Sequence, residues 1–350
     1  MQGTIRLVPT GNLGNQMLQV LLLDGLRRRH PGLRVGGIDL PMWGLSREPG
    51  LTLAAPSLRV GGQFVDTDWL CLLFRWRVLR ELDFGALGFD IERYPDPDEC
   101  RQLFSRREAP PFVGRDHELV INVRGAETLD AVHPDYAPLP LAYYRYLVAC
   151  TGLAPVFMGQ LGDDPYSTAL RGAFPEARFL PSFGAMADFE VLRSSRHVAA
   201  SVSTFSWLAC WMSDAQSVHL PVSGILDPLQ RPDIALLPLH DPRYRFYEAP
   251  TFRNLGPGDW QRHVASDGPF GTYAPDVLAS RVRAARAAVE PLRRRFRARV
   301  LVHALAQRAL RRASEVVSPP LRPSSGPSPI GQPHLPAPAR AGAPSSTPRA

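Results

Sequence analysis

The sequence predicts an α/β fold with two domains, in which parallel sheets are flanked by helices. Residues 4–30 contain, in order, the patterns of a strand, a glycine-bearing loop and a helix. Strand and helix patterns alternate again over residues 118–220, and this order produces a parallel sheet with helices on both faces. A chain of 350 residues is long enough for two domains of ordinary size.

The opening strand covers residues 4–9, and the helix covers residues 17–29, whose basic C-terminal end suits the helix dipole. The loop between them, residues 11–16, has the sequence Gly-Asn-Leu-Gly-Asn-Gln. Its glycines allow a ligand to approach the backbone closely, although an ordinary tight turn also explains them. The spacing of the glycines differs from the G-x-G-x-x-G dinucleotide pattern. A nicotinamide-dependent reductase is therefore an alternative function that is supported by the presence of this turn alone.

The domain boundary is expected near the Pro-rich stretch at residues 108–112, because residues 40–115 show only short apolar pieces without a clear period. Beyond residue 318 the chain is rich in Pro, Ser, Gly and Ala, which predicts disorder. Four parts are predicted: an N-terminal α/β domain at residues 1–110, which carries the loop at residues 11–16, and a Rossmann-like domain at residues 111–275. A basic C-terminal helix at residues 276–313 and a disordered tail at residues 314–350 follow.

A second strand-to-loop unit begins at residues 118–123, a continuous apolar run of the kind that parallel sheets contain, and it ends at Arg124. Ligands of open α/β sheets bind beyond the carboxyl ends of the strands. An arginine at that position can hold a diphosphate through two parallel hydrogen bonds. A structural ion pair with Glu127 or Asp130 is an equally good interpretation of Arg124.

A third unit leads from an apolar strand into Ser-Val-Ser-Thr-Phe-Ser-Trp-Leu-Ala-Cys-Trp, residues 201–211. Ser203 or Thr204 is the expected N-cap of a helix. The remaining N–H groups and Ser206 are then expected to face an anion such as a phosphate. The alternative is an ordinary capped helix whose two tryptophans pack on one face. Residues 221–275 are expected to be irregular after a strand at 217–220.

All 40 basic residues are arginine, so the chain lacks the lysine required by Walker-type phosphate loops and by Schiff-base chemistry. Residues 281–312 hold eleven arginines and one glutamate, whereas the first 280 residues hold 26 arginines and 31 acids. A nucleic-acid partner is therefore not predicted, because the body of the protein is mildly acidic. Four widely spaced cysteines indicate neither a zinc site nor a disulfide scaffold.

The basic segment predicts a long helix with one apolar seam and arginine-rich outer faces. Those faces fit either anionic lipid headgroups or plain solvent. No signal peptide or membrane span is evident, so we expect a cytoplasmic protein that lies peripherally at the inner membrane. The seam consists of Leu278, Val282, Ala285, Val289, Leu292 and Phe296.

Two of the stretches above resemble motifs of glycosyltransferase family 11, the alpha-1,2-fucosyltransferases. Residues 11–19, Gly-Asn-Leu-Gly-Asn-Gln-Met-Leu-Gln, are similar to the family signature GGLGNQMFQ. Val123 and Arg124 lie where the family has its H-x-R-R-G-D motif. The His-Pro-Asp-Tyr of residues 133–136 and the tyrosine pair at residues 143–144 resemble the segment that follows it.

Residues 189–207 are similar to the third motif of that family, whose core is S-S-F-S-W-W. The order and spacing of the three motifs agree over residues 1–225. The resemblance implies a two-domain GT-B-like fold, GDP-fucose or a related nucleotide sugar as donor, inversion at the anomeric carbon, and no metal or other cofactor. It places these residues at the donor: Asn12, Gly14, Asn15, Gln16, Arg124, Ser203, Thr204, Phe205 and Ser206.

The second motif departs from the family pattern. Asn122 replaces the histidine, and Gly125 replaces the second of two donor-binding arginines. Direct displacement needs a base to take the proton of the acceptor hydroxyl. The candidate bases are Glu127, Asp130, His133 and Asp135, of which Glu127 and Asp130 are preferred, and Arg124 is the third catalytic candidate.

The expected function is transfer of fucose from GDP-fucose to a galactoside-type hydroxyl of a glycan in polysaccharide biosynthesis. The alternative is a protein without catalytic activity that binds a nucleotide sugar or a glycan during polysaccharide assembly, because the arginine motif is degenerate.

Overall fold

The computed structural model of the chain describes residues 2–54, 57–105, 109–125, 129, 135–250, 259–268 and 270–317. Two parallel sheets organise them, one formed by the N-terminal part of the chain and the other by the C-terminal part. The described residues up to Leu310 belong to one compact unit.

The N-terminal sheet has four strands, all parallel, in the order β2-β1-β6-β5. Its strands are β1 (Gly3–Leu7), β2 (Leu33–Gly36), β5 (Leu58–Gly62) and β6 (Glu81–Ala86), and a separate antiparallel pair is formed by β3 (Ile38–Leu40) and β4 (Leu45–Arg47). The helices of this part are α1 (Leu13–Arg29), α2 (Thr67–Arg75) and α3 (Pro97–Leu103). A run of leucines buries α1 on nearly every side, which explains why this helix is central to the core.

The C-terminal sheet has seven strands in the order β13-β12-β11-β10-β7-β8-β9. Every neighbouring pair is parallel except β12 and β13. The strands are β7 (Glu118–Val123), β8 (Ala154–Gly159), β9 (Arg178–Phe179), β10 (His197–Ala199), β11 (Ser217–Val222), β12 (Tyr244–Glu248) and β13 (Thr272–Tyr273). The connecting helices are α4 (Leu141–Thr151), α5 (Pro165–Ala173), α6 (Ala185–Ser194), α7 (Thr204–Trp211) and α8 (Asp259–Val264).

The strand order of the larger sheet reverses between β7 and β10. The chain passes from β7 outward to β9, then crosses back and continues from β10 outward to β12. This is the doubly wound order of nucleotide-binding α/β domains, in which the ligand crevice opens where the order reverses. The predicted α/β fold with parallel sheets flanked by helices is confirmed.

Two local predictions are wrong. The loop predicted at residues 11–16 becomes helical at Leu13, four residues earlier than expected, because the asparagines and the glycine are accommodated in the first turn of α1. Residues 221–275 are not wholly irregular, since β12 pairs with β11 through the half-buried sequence Tyr-Arg-Phe-Tyr-Glu. The boundaries of the predicted domains stay a prediction.

The last helix, α9 (Pro275–Val317), continues through Pro291. Its buried positions follow the predicted seam except at Leu292, which is 39% exposed, and at Val282, which is half-buried. It packs on α2, where Arg297 Nε donates to Asp66 at 2.7 Å and the Trp69 ring nitrogen donates to the Arg297 carbonyl at 3.2 Å. None of the described helices combines the length and the apolar character needed to cross a membrane.

Candidate functional site

A cavity of about 550 Å³ opens where strands of both sheets end. The segments that follow β1, β7, β8 and β10 all contribute to its wall, so it lies at the carboxyl edge of each sheet. It includes the point between β7 and β10 at which the larger sheet reverses its strand order. The described lining residues are Gly11, Asn12, Leu13, Gly14, Asn15, Asn122, Val123, Arg124, Tyr136, Gly159, Gln160, Ser182, Ala185, Asp188, Ser203, Thr204 and Phe205.

The N-terminal ends of α1 and α7 meet at this cavity, and a glycine makes their contact possible. A Cβ atom at Gly14 would lie 2.8 Å from the backbone nitrogen of Phe205 and 2.9 Å from the Thr204 hydroxyl. The Thr204 hydroxyl donates to Asn15 Oδ1 at 2.9 Å. The first and third motifs, almost two hundred residues apart in sequence, are therefore joined by a direct hydrogen bond.

The start of α7 is capped by Ser203, whose Oγ accepts from the backbone nitrogen of Phe205 at 3.2 Å. The structure thus selects Ser203 as the N-cap and leaves Thr204 to bind α1. Ser206 does not reach the cavity. Its hydroxyl is fully buried and lies 3.0 Å from the Ser201 hydroxyl, which donates to Asn122 at 2.8 Å. The expectation that Ser206 faces an anion is corrected, because this internal chain of hydroxyl groups holds its side chain.

The start of α1 has no side-chain cap, although Asn12 occupies the N-cap position. Its first N–H groups therefore lack the partner that a capping side chain provides. Gly11 has a φ of 73°, which suits glycine. Gln16 Nε2 donates to the Gly11 carbonyl at 2.9 Å, and Gln16 is not among the lining residues. Gln16 thus shapes the loop, whereas Asn12, Gly14 and Asn15 line the cavity as expected from the resemblance.

Arg124 is held in place at the cavity wall by its neighbours. Its guanidinium carbon lies 4.2 Å from the centroid of the Tyr136 ring, and Nη1 donates to the Val202 carbonyl at 3.3 Å. Burial raises the pKa of Tyr136, and the Arg124 guanidinium acts in the opposite direction. Among the lining residues that the structure describes, Arg124 is the only cationic side chain. The proposed ion pair of Arg124 with Glu127 or Asp130 concerns partners outside the described residues.

The glycine in place of the second arginine is closely packed. A Cβ atom at Gly125 would lie 2.7 Å from the backbone oxygen of Gln160. Because that oxygen belongs to the backbone that follows β8, a larger residue needs a shift of one strand end against another. The backbone around Gly125 therefore leaves no room for a larger side chain without such a shift.

Several lining residues were not predicted from the sequence, and Asp188 is the most notable. Its carboxylate accepts from the Ser182 hydroxyl at 2.7 Å and from the backbone nitrogen of Phe183 at 2.9 Å. It is the only acidic side chain among the described lining residues. The sequence could have predicted Gln160 as a lining residue, because it directly follows β8 at the same sheet edge as Arg124. No strand end marks Asp188 or Tyr136 in the sequence, because Asp188 lies in a helix and Tyr136 in a loop.

Of the four candidate bases, only Asp135 lies among the described residues. Its carboxylate accepts from Arg231 Nη1 at 2.8 Å and from Gln230 Nε2 at 3.1 Å, and it is not among the lining residues. It therefore acts as a buried anchor. Glu127, Asp130 and His133 lie outside the described residues, so their catalytic role stays a prediction.

No group of three or more His, Cys, Asp or Glu side chains within the described ranges is arranged to hold a metal ion. What the cavity presents to a ligand is instead one arginine and two helix N-termini. Each of these is a device that proteins use to bind phosphate groups.

No protein-family model and no curated protein matches the sequence. Among solved structures, the chain is similar to the E. coli heptosyltransferase WaaC with ADP, at 12% identity and a TM-score of 0.31, over 62% of this chain and 87% of that chain. It is also similar to the same enzyme with ADP-2-deoxy-2-fluoro heptose, at 13% identity and a TM-score of 0.29, over 62% and 88% of the two chains. Likenesses at this level do not assign a family.

Proposed function

We propose that the chain transfers a sugar from a nucleoside-diphosphate sugar to a hydroxyl group of a glycan. The observation that supports this most strongly is the convergence of the α1 and α7 N-termini with Arg124 on one cavity. A diphosphate carries the charge that such an arrangement favours. The cavity also lies where the strand order of the larger sheet reverses, which is the usual ligand position in doubly wound folds.

In the proposed reaction the acceptor hydroxyl attacks the anomeric carbon as the bond to the donor diphosphate breaks. The nucleoside diphosphate leaves with an additional negative charge, and the hydroxyl proton passes to a base. The helix N-termini and Arg124 stabilise the developing charge without rearranging, because neighbouring groups already hold them in place.

The base is proposed to be Glu127 or Asp130. Arg124 and Tyr136, which precede and follow these acids in the sequence, both line the cavity. Asp188 is the acidic side chain that the described wall supplies. Its two hydrogen bonds suit a positioning role for the Ser182 loop rather than proton transfer.

The donor is proposed to be GDP-fucose, and the acceptor a galactoside-type hydroxyl. This finer assignment rests on the resemblance of the three motifs to the alpha-1,2-fucosyltransferases. In the structure two of those motifs come together through the bond between Asn15 and Thr204, and the remaining one supplies Arg124 to the same cavity.

A screen of nucleotide sugars tests the proposal. GDP-fucose, GDP-mannose, UDP-glucose and ADP-glucose are each added to the purified chain, and thermal unfolding and release of nucleoside diphosphate are measured with galactoside acceptors. We expect GDP-fucose to raise the unfolding temperature and to be consumed. Thermal protection by another donor alone would show that the donor is not GDP-fucose. If none of the donors protects the protein, the proposal is contradicted.

A matched pair of arginine variants makes the screen specific. Arg124→Ala is expected to weaken donor binding by about 1.5–3 kcal/mol and to abolish turnover. Arg178 also places its guanidinium over an aromatic ring, 4.6 Å from the Phe112 centroid, and lies outside the cavity. Arg178→Ala should therefore leave binding and turnover unchanged, and an equal loss in both variants would point to a general effect on folding.

A second candidate function is nucleotide-sugar binding without catalysis. The close packing of Gly125 against the Gln160 backbone favours it, because this site is built without the second arginine of the family motif. It predicts that donors protect the protein thermally while no donor and acceptor pair is consumed. Turnover of any nucleotide sugar that Arg124→Ala abolishes would exclude this candidate.

A further inference from the structure

Helix α9 has a second apolar stripe that faces away from the protein. Its buried seam near the C-terminal end consists of Phe296, Val300 and Ala304. The outward stripe is offset by about two residues from that seam, which places it on the opposite side of the helix. It consists of Ala298, Val302, Leu305 and Ala309, at steps of four, three and four residues.

The members of this stripe are exposed to solvent. The exposed fraction is 65% for Val302 and 47% for Leu305, and both alanines are exposed as well. At a rise of about 1.5 Å per residue the stripe is about 17 Å long. A large apolar side chain that stands alone on a surface needs no explanation, but a continuous stripe on one helix face indicates a binding surface.

Arginines border the stripe on both sides. By helical position, Arg295 and Arg299 lie along one edge, and Arg294 and Arg308 lie along the other. All four are exposed. The one acid of residues 281–312, Glu290, is bonded to Arg293 and Arg294 at 3.0 and 3.2 Å. In the described part of the chain, no acidic side chain lies within ion-pair distance of Arg295, Arg299 or Arg308.

An apolar stripe between two rows of arginine matches the chemistry of an anionic lipid surface. The apolar side chains can enter the boundary between headgroups and acyl chains, while the arginine stems lie along it and their guanidinium groups reach the phosphates. A nucleic acid would use the arginines but leave the central stripe exposed. A second copy of the helix would bury the stripe but bring the two arginine rows together, and the like charges would repel each other.

We propose that residues 294–309 of α9 form a docking surface for anionic phospholipid bilayers. The surface uses no residue of the nucleotide-sugar cavity and does not depend on the function proposed for it. Of the two sequence-based interpretations of the arginine-rich faces, anionic lipid headgroups or plain solvent, the proposal adopts the first.

Vesicle flotation of the full chain tests the proposal. Vesicles of phosphatidylcholine alone are compared with vesicles in which phosphatidylglycerol replaces part of the lipid, at low and high salt. We expect flotation only with the anionic vesicles, and weaker flotation at high salt. The variant Arg295→Gln with Arg299→Gln is expected to weaken partitioning about 25-fold, at about five-fold for each arginine. Val302→Ser with Leu305→Ser is expected to weaken it about ten-fold or more.

Matched controls carry the same changes elsewhere on the surface. Val113 and Leu229 are 47% and 53% exposed, so their change to serine alters a valine and a leucine that are exposed to a comparable extent. Arg75→Gln with Arg80→Gln removes two exposed arginines outside α9. Both control variants should float as the wild type does, and the far-ultraviolet circular dichroism of all variants should be unchanged.

Three results would overturn the proposal. The first is equal flotation with neutral and anionic vesicles, or none with either. The second is an equal loss in the test and control variants. The third is that the wild type does not float and forms an oligomer in light scattering that is lost in Val302→Ser with Leu305→Ser. The stripe would then bind a second copy of the chain and not a lipid surface.

Discussion

The contact between α1 and α7 makes a sharp prediction for Gly14→Ala. The added Cβ would lie 2.8 Å from the Phe205 backbone nitrogen, 2.9 Å from the Thr204 hydroxyl and 3.0 Å from the Phe205 Cα. Two of these three atoms belong to the backbone of α7, so the helices must separate. Overpacking of this kind costs about 1–3 kcal/mol, from which the helix preference of alanine recovers about 0.5–1 kcal/mol. We expect a net loss of about 1 kcal/mol, and at most about 2.5 kcal/mol, in the free energy of unfolding.

The same separation should affect ligand binding more than stability. It stretches the bond between Asn15 and Thr204 and moves both helix N-termini away from the diphosphate position. Denaturant unfolding and calorimetric titration of GDP measure the two effects separately. We expect GDP affinity to fall about ten-fold or more, since charge-assisted hydrogen bonds are each worth about 1.5–3 kcal/mol.

Two other glycines provide matched controls. A Cβ at Gly25, also in α1, would lie 2.1 Å from the Arg93 carbonyl oxygen, so Gly25→Ala should destabilise the fold without weakening GDP binding. A Cβ at Gly172 in α5 would meet no atom within 4 Å outside the adjacent backbone of its own helix, so Gly172→Ala should be neutral or stabilise by up to about 1 kcal/mol. If Gly14→Ala binds GDP as the wild type does, or Gly25→Ala loses it equally, the contact between α1 and α7 does not shape the site.

Three further predictions concern packing, a buried ion pair and pH. Gly125→Arg should destabilise the fold by about 1–3 kcal/mol in denaturant unfolding and fail to strengthen GDP binding, because its Cβ meets a backbone oxygen at 2.7 Å; tighter binding would show that only the arginine is missing. Asp135→Asn should cost about 1–3 kcal/mol in the same assay, because Arg231 loses one carboxylate but keeps Asp233 at 2.7 Å; an unchanged midpoint would contradict the anchoring role. Burial lowers the pKa of His219 to about 4 from 6.5, so the unfolded chain binds a proton at this side chain more readily than the folded chain does. The stability that the neutral side chain contributes is therefore full above pH 6.5, and it falls by about 3 kcal/mol as the pH approaches 4. His219→Asn should flatten unfolding free energy against pH in that window, and equal slopes for wild type and variant would refute this.

The sequence predicted the central strands of the larger sheet well, namely β7, β8, β10 and β11, because each of them carries its own local signal. Residues 118–123 form a continuous apolar strand, and α7 has a serine at its N-cap. The N-terminal part of the chain was harder to predict, since β2 has only four residues and the two strands of the separate pair, β3 and β4, have three each. Short strands are fixed by pairing with distant neighbours rather than by their own periodicity.

The candidate site was predictable at its strand ends and not where it depends on helix packing. Arg124 was found because a strand end at the sheet edge is a recognisable position. The start of α1 was missed, because Asn-Leu-Gly-Asn has low helix propensity and is stabilised by its contact with α7. Asp188 was missed because its place in the wall depends on how α6 packs beside the cavity.

The central claim is that a diphosphate lies between Arg124 and the N-termini of α1 and α7. Calorimetric titration of GDP and of guanosine into the wild type and Arg124→Ala tests it most directly. We predict that the variant loses about 1.5–3 kcal/mol of GDP binding and none of guanosine binding, because the proposed contact of Arg124 is with the phosphates alone. Unchanged GDP affinity in Arg124→Ala, or an equal loss for GDP and guanosine, would contradict the claim.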